Sequence, residues 1–124
     1  MNYRTALPIL FMPLVAALFT APDANAVVRH ATTTIHWTGA QCATVVSPVI
    51  GNYSQLTAET VCGAGFHNFT QIVQPGQWIG AKVPLTGQSS VDCVVILDGV
   101  TQGVDYAVAS QGSGEANCLR MVTS

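Results

Sequence analysis

A chain of 124 residues has room for one domain, and only 8% of this one is charged against 49% hydrophobic. The net charge is −2 with four basic residues and no Lys/Arg cluster, which argues against nucleic acid and anionic membrane surfaces as partners. The four cysteines are an even set, as in a disulfide framework, and their spacings lack the close Cys pairs of a zinc site.

The first 26 residues read as a targeting segment. Arg4 supplies a positive start, Ala6 to Thr20 is an apolar stretch interrupted by Pro8 and Pro13, and Ala24-Asn25-Ala26 is an A-x-A cleavage signature. The stretch is short for a span, which needs roughly 20 apolar residues. Cleavage after Ala26 is therefore expected, with an uncleaved anchor as the alternative. Residues 27–124 would form the mature domain, secreted or held in the periplasm or cell envelope.

The mature part alternates short β-branched runs with turn residues. Thr32 to Thr38 is a predicted strand with Thr33, Ile35 and Trp37 inward and His36 outward. Gln41 to Val46 follows, with Cys42, Thr44 and Val46 on one face, and Pro48 and Gly51-Asn52 end it. Leu56 to Cys62 is next. Glu59 is expected to face water, which turns Leu56, Ala58, Thr60 and Cys62 to the core and lets Cys42 and Cys62 meet there. Phe66 to Val73 runs into Gln74-Pro75-Gly76-Gln77, a type II turn signature, and Trp78 to Val83 leaves it as one strand. Val91 to Leu97, Asp98-Gly99 and the return from Val100 form a hairpin with a type I′ turn. Glu115 to Met121 is the last strand. The pattern predicts an all-β, immunoglobulin-like sandwich of about seven or eight strands.

Four cysteines allow three pairings. Cys42–Cys62 and Cys93–Cys118 are favoured, because each pair brackets a local strand–turn–strand segment. A loop of that length contributes roughly 3 kcal/mol by the chain-entropy argument.

No reaction is written in the motifs. His30, His36 and His67 fall on three elements, so they read as surface histidines rather than metal ligands. There is no G-x-S-x-G elbow, and the Gly-x-Gly runs open no helix. No cofactor, metal or catalytic set is expected. A small secreted hydrolase using His67 and a nearby acid is the enzyme alternative. Asn52-Tyr53-Ser54 and Asn68-Phe69-Thr70 match the glycosylation sequon and are expected near loops. Trp37 reads as core. Trp78 and Tyr53 flank turns and are the candidate partner-binding residues.

Three runs carry a resemblance: Gln74-Pro75-Gly76-Gln77-Trp78-Ile79, then Val91-Asp92-Cys93-Val94-Val95-Ile96-Leu97-Asp98-Gly99, then Gly114-Glu115-Ala116-Asn117-Cys118. Together they resemble the extracytoplasmic domain of the MmpS family and related small exported mycobacterial proteins. MmpS proteins are small membrane partners of RND-type lipid and siderophore exporters. The resemblance covers about residues 66–119 and implies a compact β-sandwich with a Cys93–Cys118 bridge and an accessory role beside such an exporter. A cleavable segment in place of an anchor, and the Cys42/Cys62 pair, lie outside that family's pattern. The reading as a whole is a monomeric, non-enzymatic, exported β-sandwich that binds a protein or lipid-like partner.

Overall fold

A computed structural model describes residues 28–112 and 114–123. The targeting segment and its cleavage site at Ala26 lie outside the described residues. The strands are β1 (Arg29–Thr38), β2 (Cys42–Val49), β3 (Asn52–Cys62), β4 (Phe66–Val73), β5 (Trp78–Ile79), β6 (Lys82–Pro84), β7 (Ser90–Leu97), β8 (Val100–Val108), β9 (Glu115–Asn117) and β10 (Arg120–Met121). A 3₁₀ turn at Ala109–Gln111 follows β8. The fold is all-β. Two four-stranded sheets, ordered β4-β1-β7-β8 and β3-β2-β6-β9, pack as a sandwich, and β5 pairs with β10 in a small ribbon.

Local chemistry accounts for the turns. Asp98 and Gly99 have φ of 50° and 81°, as a type I′ turn requires at both central residues. Gly76 has φ of 90°, and the Gln77 amide donates to the Gln74 carbonyl at 3.2 Å, closing the Pro-Gly turn. At the head of the hairpin, Asp98 also ties down the start of β1. Its carboxylate accepts from the His30 amide at 2.9 Å and pairs with Arg29 at 2.5 Å. The His30 amide and then the Arg29 guanidinium hold this carboxyl below the usual carboxylate range.

The core lies between the two sheets. Ala31, Ile35 and Trp37 of β1 and Val91, Cys93, Val95 and Leu97 of β7 meet Ala43 and Val45 of β2, Val83 of β6 and Ala116 of β9. Each fully buried Val or Ile contributes about 1.5–3 kcal/mol. Trp37 is buried as its pairing with Ile35 on one face predicts, and its Nε1 donates to the Ala40 carbonyl at 3.1 Å. Thr33 shares that inner face.

The strand count is ten rather than the expected seven or eight, because two of the eight predicted strands are each broken in two. The run from Trp78 bends at Gly80, where φ is +89° and a Cβ would sit 1.9 Å from the Cys118 carbonyl oxygen. β5 therefore pairs with β10, while β6 pairs with β2 and β9. The last strand breaks at Cys118-Leu119, which crosses from the β6 partner to the β5 partner.

Both disulfides pair as expected, Cys42–Cys62 and Cys93–Cys118. Two such bridges are the mark of an oxidising compartment. Cys93–Cys118 joins β7 of one sheet to the end of β9 in the other, inside the core. Cys42–Cys62 links neighbouring strands of one sheet, Cα atoms 4.0 Å apart. The expectation that this pair faces the core is corrected. β2 turns Ala43, Val45 and Ser47 inward, the parity opposite to Cys42, and Cys62 is exposed. Leu56, Ala58 and Thr60 are exposed as well. The parity argument fails at Glu59. It lies opposite the buried Val45, so it is on the inner side of β3, at a place where water reaches between the sheets.

Candidate groove between two sheet edges

The sandwich has two long sides. On one, β8 and β9 are laced together. Asp105 of β8 accepts from the Asn117 amide of β9 at 2.8 Å and from the Tyr106 amide at 2.9 Å. The Leu85 amide donates to the Gly114 carbonyl at 3.0 Å, and the Arg120 guanidinium lies so near Gly103 that a Cβ there would approach it to 2.9 Å. On the other side β3 and β4 are the outermost strands of their sheets. A groove opens between them.

The register explains what lines it. His67, Phe69, Gln71 and Val73 alternate along β4 on the inner face, opposite Ile35, Thr33, Ala31 and Arg29. Val73 is buried, while His67 and Phe69 are half-buried. From the facing sheet come Ser47 and Pro48 of β2, Ile50 of the turn, and Tyr53 and Glu59 of β3. The register of β2 with β3 shifts at Pro48/Val49, where Pro48 opposes Leu56 and Val49 opposes Asn52. Residues 53–55 therefore bulge from the ladder, and Tyr53 packs against the core from this bulge. The narrow part of the groove has a volume of about 190 Å³. It continues past Tyr53, Thr70 and Gln71 into a shallower part of about 460 Å³ bordered by His30, Thr32 and Ile72.

Gln71 is the chemically distinctive residue. It is only 4% exposed. Its Nε2 donates to the Trp78 carbonyl at 3.0 Å, while its Oε1 is buried without a hydrogen-bond partner. An orphaned buried acceptor costs about 1–3 kcal/mol. Thr33 Oγ1, on the neighbouring strand, is buried and unpartnered too.

The predicted site residues divide. Tyr53 lies in the groove wall. Trp78 lies outside it, half-buried in the ribbon opposite Met121. His67, which the sequence reads as an ordinary surface histidine, is half-buried in the groove, its ring 5.9 Å from that of Phe69. His30 and His36 are exposed, and His36 pairs with Asp92 at 3.3 Å. Asn52 sits at a turn, where its Oδ1 accepts from the Ser54 amide. Asn68 is exposed in the middle of β4 rather than near a loop. Among the described residues no group of three or more His, Cys, Asp or Glu is placed to hold a metal ion.

Sequence reasoning alone does not single out Glu59, Phe69 or Gln71 as site residues. The alternation His67-Phe69-Gln71-Val73 does carry a signal, since a glutamine in register with apolar neighbours is a buried amide. Comparison with protein-family models, with curated proteins and with solved structures finds no match to this chain.

Proposed function

We propose that this is an exported, non-enzymatic binding protein of the cell envelope or its surroundings, and that the β3–β4 groove receives an apolar group of a protein or lipid-like partner. The lining of the narrow part carries this reading, because Pro48, Ile50, Tyr53 and Phe69 give it an apolar wall at the open side of the sandwich. Ligand pockets that enclose a whole small molecule run to about 300–1,000 Å³. The narrow part here is smaller, which suits one anchoring group of a larger partner, with the shallow part taking the adjoining portion of that partner. The two disulfides and the targeting segment support export. An accessory role beside an RND-type exporter is a narrower form of this proposal and rests on the resemblance of residues 66–119.

The test is an amide chemical-shift titration with dodecylphosphocholine below its micellar concentration. Saturable shifts centred on Tyr53, Phe69 and Gln71, weakened by Tyr53→Ala, are expected. Shifts confined to the β8–β9 side, or unaffected by Tyr53→Ala, would sink the proposal.

One observation favours a second reading, a hydrolase using His67. Ser47, Glu59 and His67 line the same narrow groove, so a hydroxyl, an acid and an imidazole face one space. Hydrolysis of p-nitrophenyl esters that is lost in His67→Ala would establish it. Equal rates for the two proteins would dismiss it.

A further inference from the structure

β4 differs from the other outer strands in having none of the devices that keep a sheet edge from pairing. β3 bulges at residues 53–55 and carries Glu59. β8 has a register shift opposite Val95/Ile96 and spends Asp105 on its neighbour. β9 has three residues. By contrast, β4 runs in unbroken register with β1 from Phe66 to Val73. It has no acidic residue, no Lys or Arg, no proline and no bulge.

The pairing also fixes which backbone groups are free. The Trp37 amide donates to the Gly65 carbonyl, and 37 lies opposite 65 in the same register. In an antiparallel ladder hydrogen-bonded pairs alternate with open ones, so the odd residues of β4 bond to β1. Phe66, Asn68, Thr70 and Ile72 then present their amides and carbonyls to the free edge.

We infer that β4 pairs antiparallel with β4 of a second copy of this chain, about a two-fold axis at Phe69. This departs from the expectation of a monomer and does not depend on what the groove binds. The sequence of β4 is self-complementary in that register. Phe66 meets Ile72, His67 meets Gln71, Asn68 meets Thr70, and Phe69 meets itself. Phe66 and Ile72 are 48% and 64% exposed in the single chain, and the pairing sets them side by side. No like charges oppose one another across the axis. The inner-face pair sets an imidazole of one copy beside Gln71 of the other, whose Oε1 lacks a donor. The result is one eight-stranded sheet, with the two grooves brought together under its centre.

Sedimentation velocity of the full oxidised chain, without added ligand, tests this across a concentration series. A reversible dimer is expected. Thr70→Pro removes an amide that faces the free edge and bonds to nothing in β1, so the fold should persist while dimerisation weakens about tenfold or more. The pair Asn68→Lys with Thr70→Lys should also give monomer. Asn68→Asp with Thr70→Lys, which sets opposite charges across the axis, should tighten the dimer. A monomer at every concentration overturns the inference. So does a dimer indifferent to Thr70→Pro, or an opposite-charge double variant weakened as much as the double lysine.

Discussion

The two long sides of this sandwich are built from the same kinds of strand and end differently. On the β8–β9 side, polar groups are spent on each other: Asp105 on the Asn117 amide, and Arg120 on the Asn117 and Leu119 carbonyls at 3.2 and 2.8 Å. On the β3–β4 side, polar residues line a groove, and one of them, Gln71, keeps a buried Oε1 without a partner. The disulfides follow the same division. Cys93–Cys118 bridges the sheets inside the core, while Cys42–Cys62 holds one outer strand to its neighbour on the groove side of the sandwich. The two sides thus separate: one spends its polar groups on holding strands together, and the other leaves them lining a groove.

The largest test of that separation removes each bridge in turn. The two loops close over similar separations, 20 and 25 residues, so loop entropy alone predicts nearly equal losses of about 3 kcal/mol. Burial breaks the tie. Cys93→Ala with Cys118→Ala also strips packed sulfur from the core and should cost about 4–5 kcal/mol, whereas Cys42→Ala with Cys62→Ala should cost about 2–3 kcal/mol. Urea melts of the two double variants measure the difference. Equal losses would mean that the core bridge contributes nothing beyond chain entropy.

A smaller effect compares polar groups across the two sides. Asp105→Ala should destabilise by about 1–2 kcal/mol, since it leaves the Asn117 amide without its acceptor. Gln71→Met gives up the bond to the Trp78 carbonyl but also removes a buried orphan, so its net change should stay within about 1 kcal/mol of zero. Thermal melts decide this. A loss at Gln71 as large as that at Asp105 would show that the groove glutamine is structural.

The smallest effect is a pH dependence. The Asp98 carboxyl is held below its ordinary value, so the folded state binds this proton less readily than the unfolded chain. Its contribution is fully present above the ordinary value of 3.8 and is lost as pH falls through the lower folded value. Because Asp98 is exposed at a turn, the effect should be slight. Asp98→Asn should flatten the acid limb of a melting-temperature profile and leave the profile above about pH 5 parallel to that of the parent. An unchanged acid limb would remove Asp98 from the account.

Much of the fold is legible in the sequence because turn chemistry and β-branched runs are local signals. Asp98-Gly99 and Pro75-Gly76 name their turns, and Ile35 with Trp37 names an inner face. The breaks at Gly80 and Cys118-Leu119 are not legible, because they arise where one segment meets another distant in sequence. The facing of β3 eludes the sequence for a related reason. A charged residue marks the outer face only where the inner face is dry, and Glu59 lies on a wet one. The site is legible only in part. Tyr53 can be named as an aromatic beside a turn, but the convergence of Glu59, His67 and Gln71 depends on which strands end at the sheet edges.

Residue-resolved amide hydrogen exchange, in solution dilute enough to keep the chain monomeric, tests the division most directly. The account predicts that the β2–β3 and β1–β4 ladders open more readily than the β7–β8 ladder and the Asn117 amide held by Asp105. Protection that is uniform across the sheets, or highest along β3 and β4, would contradict it.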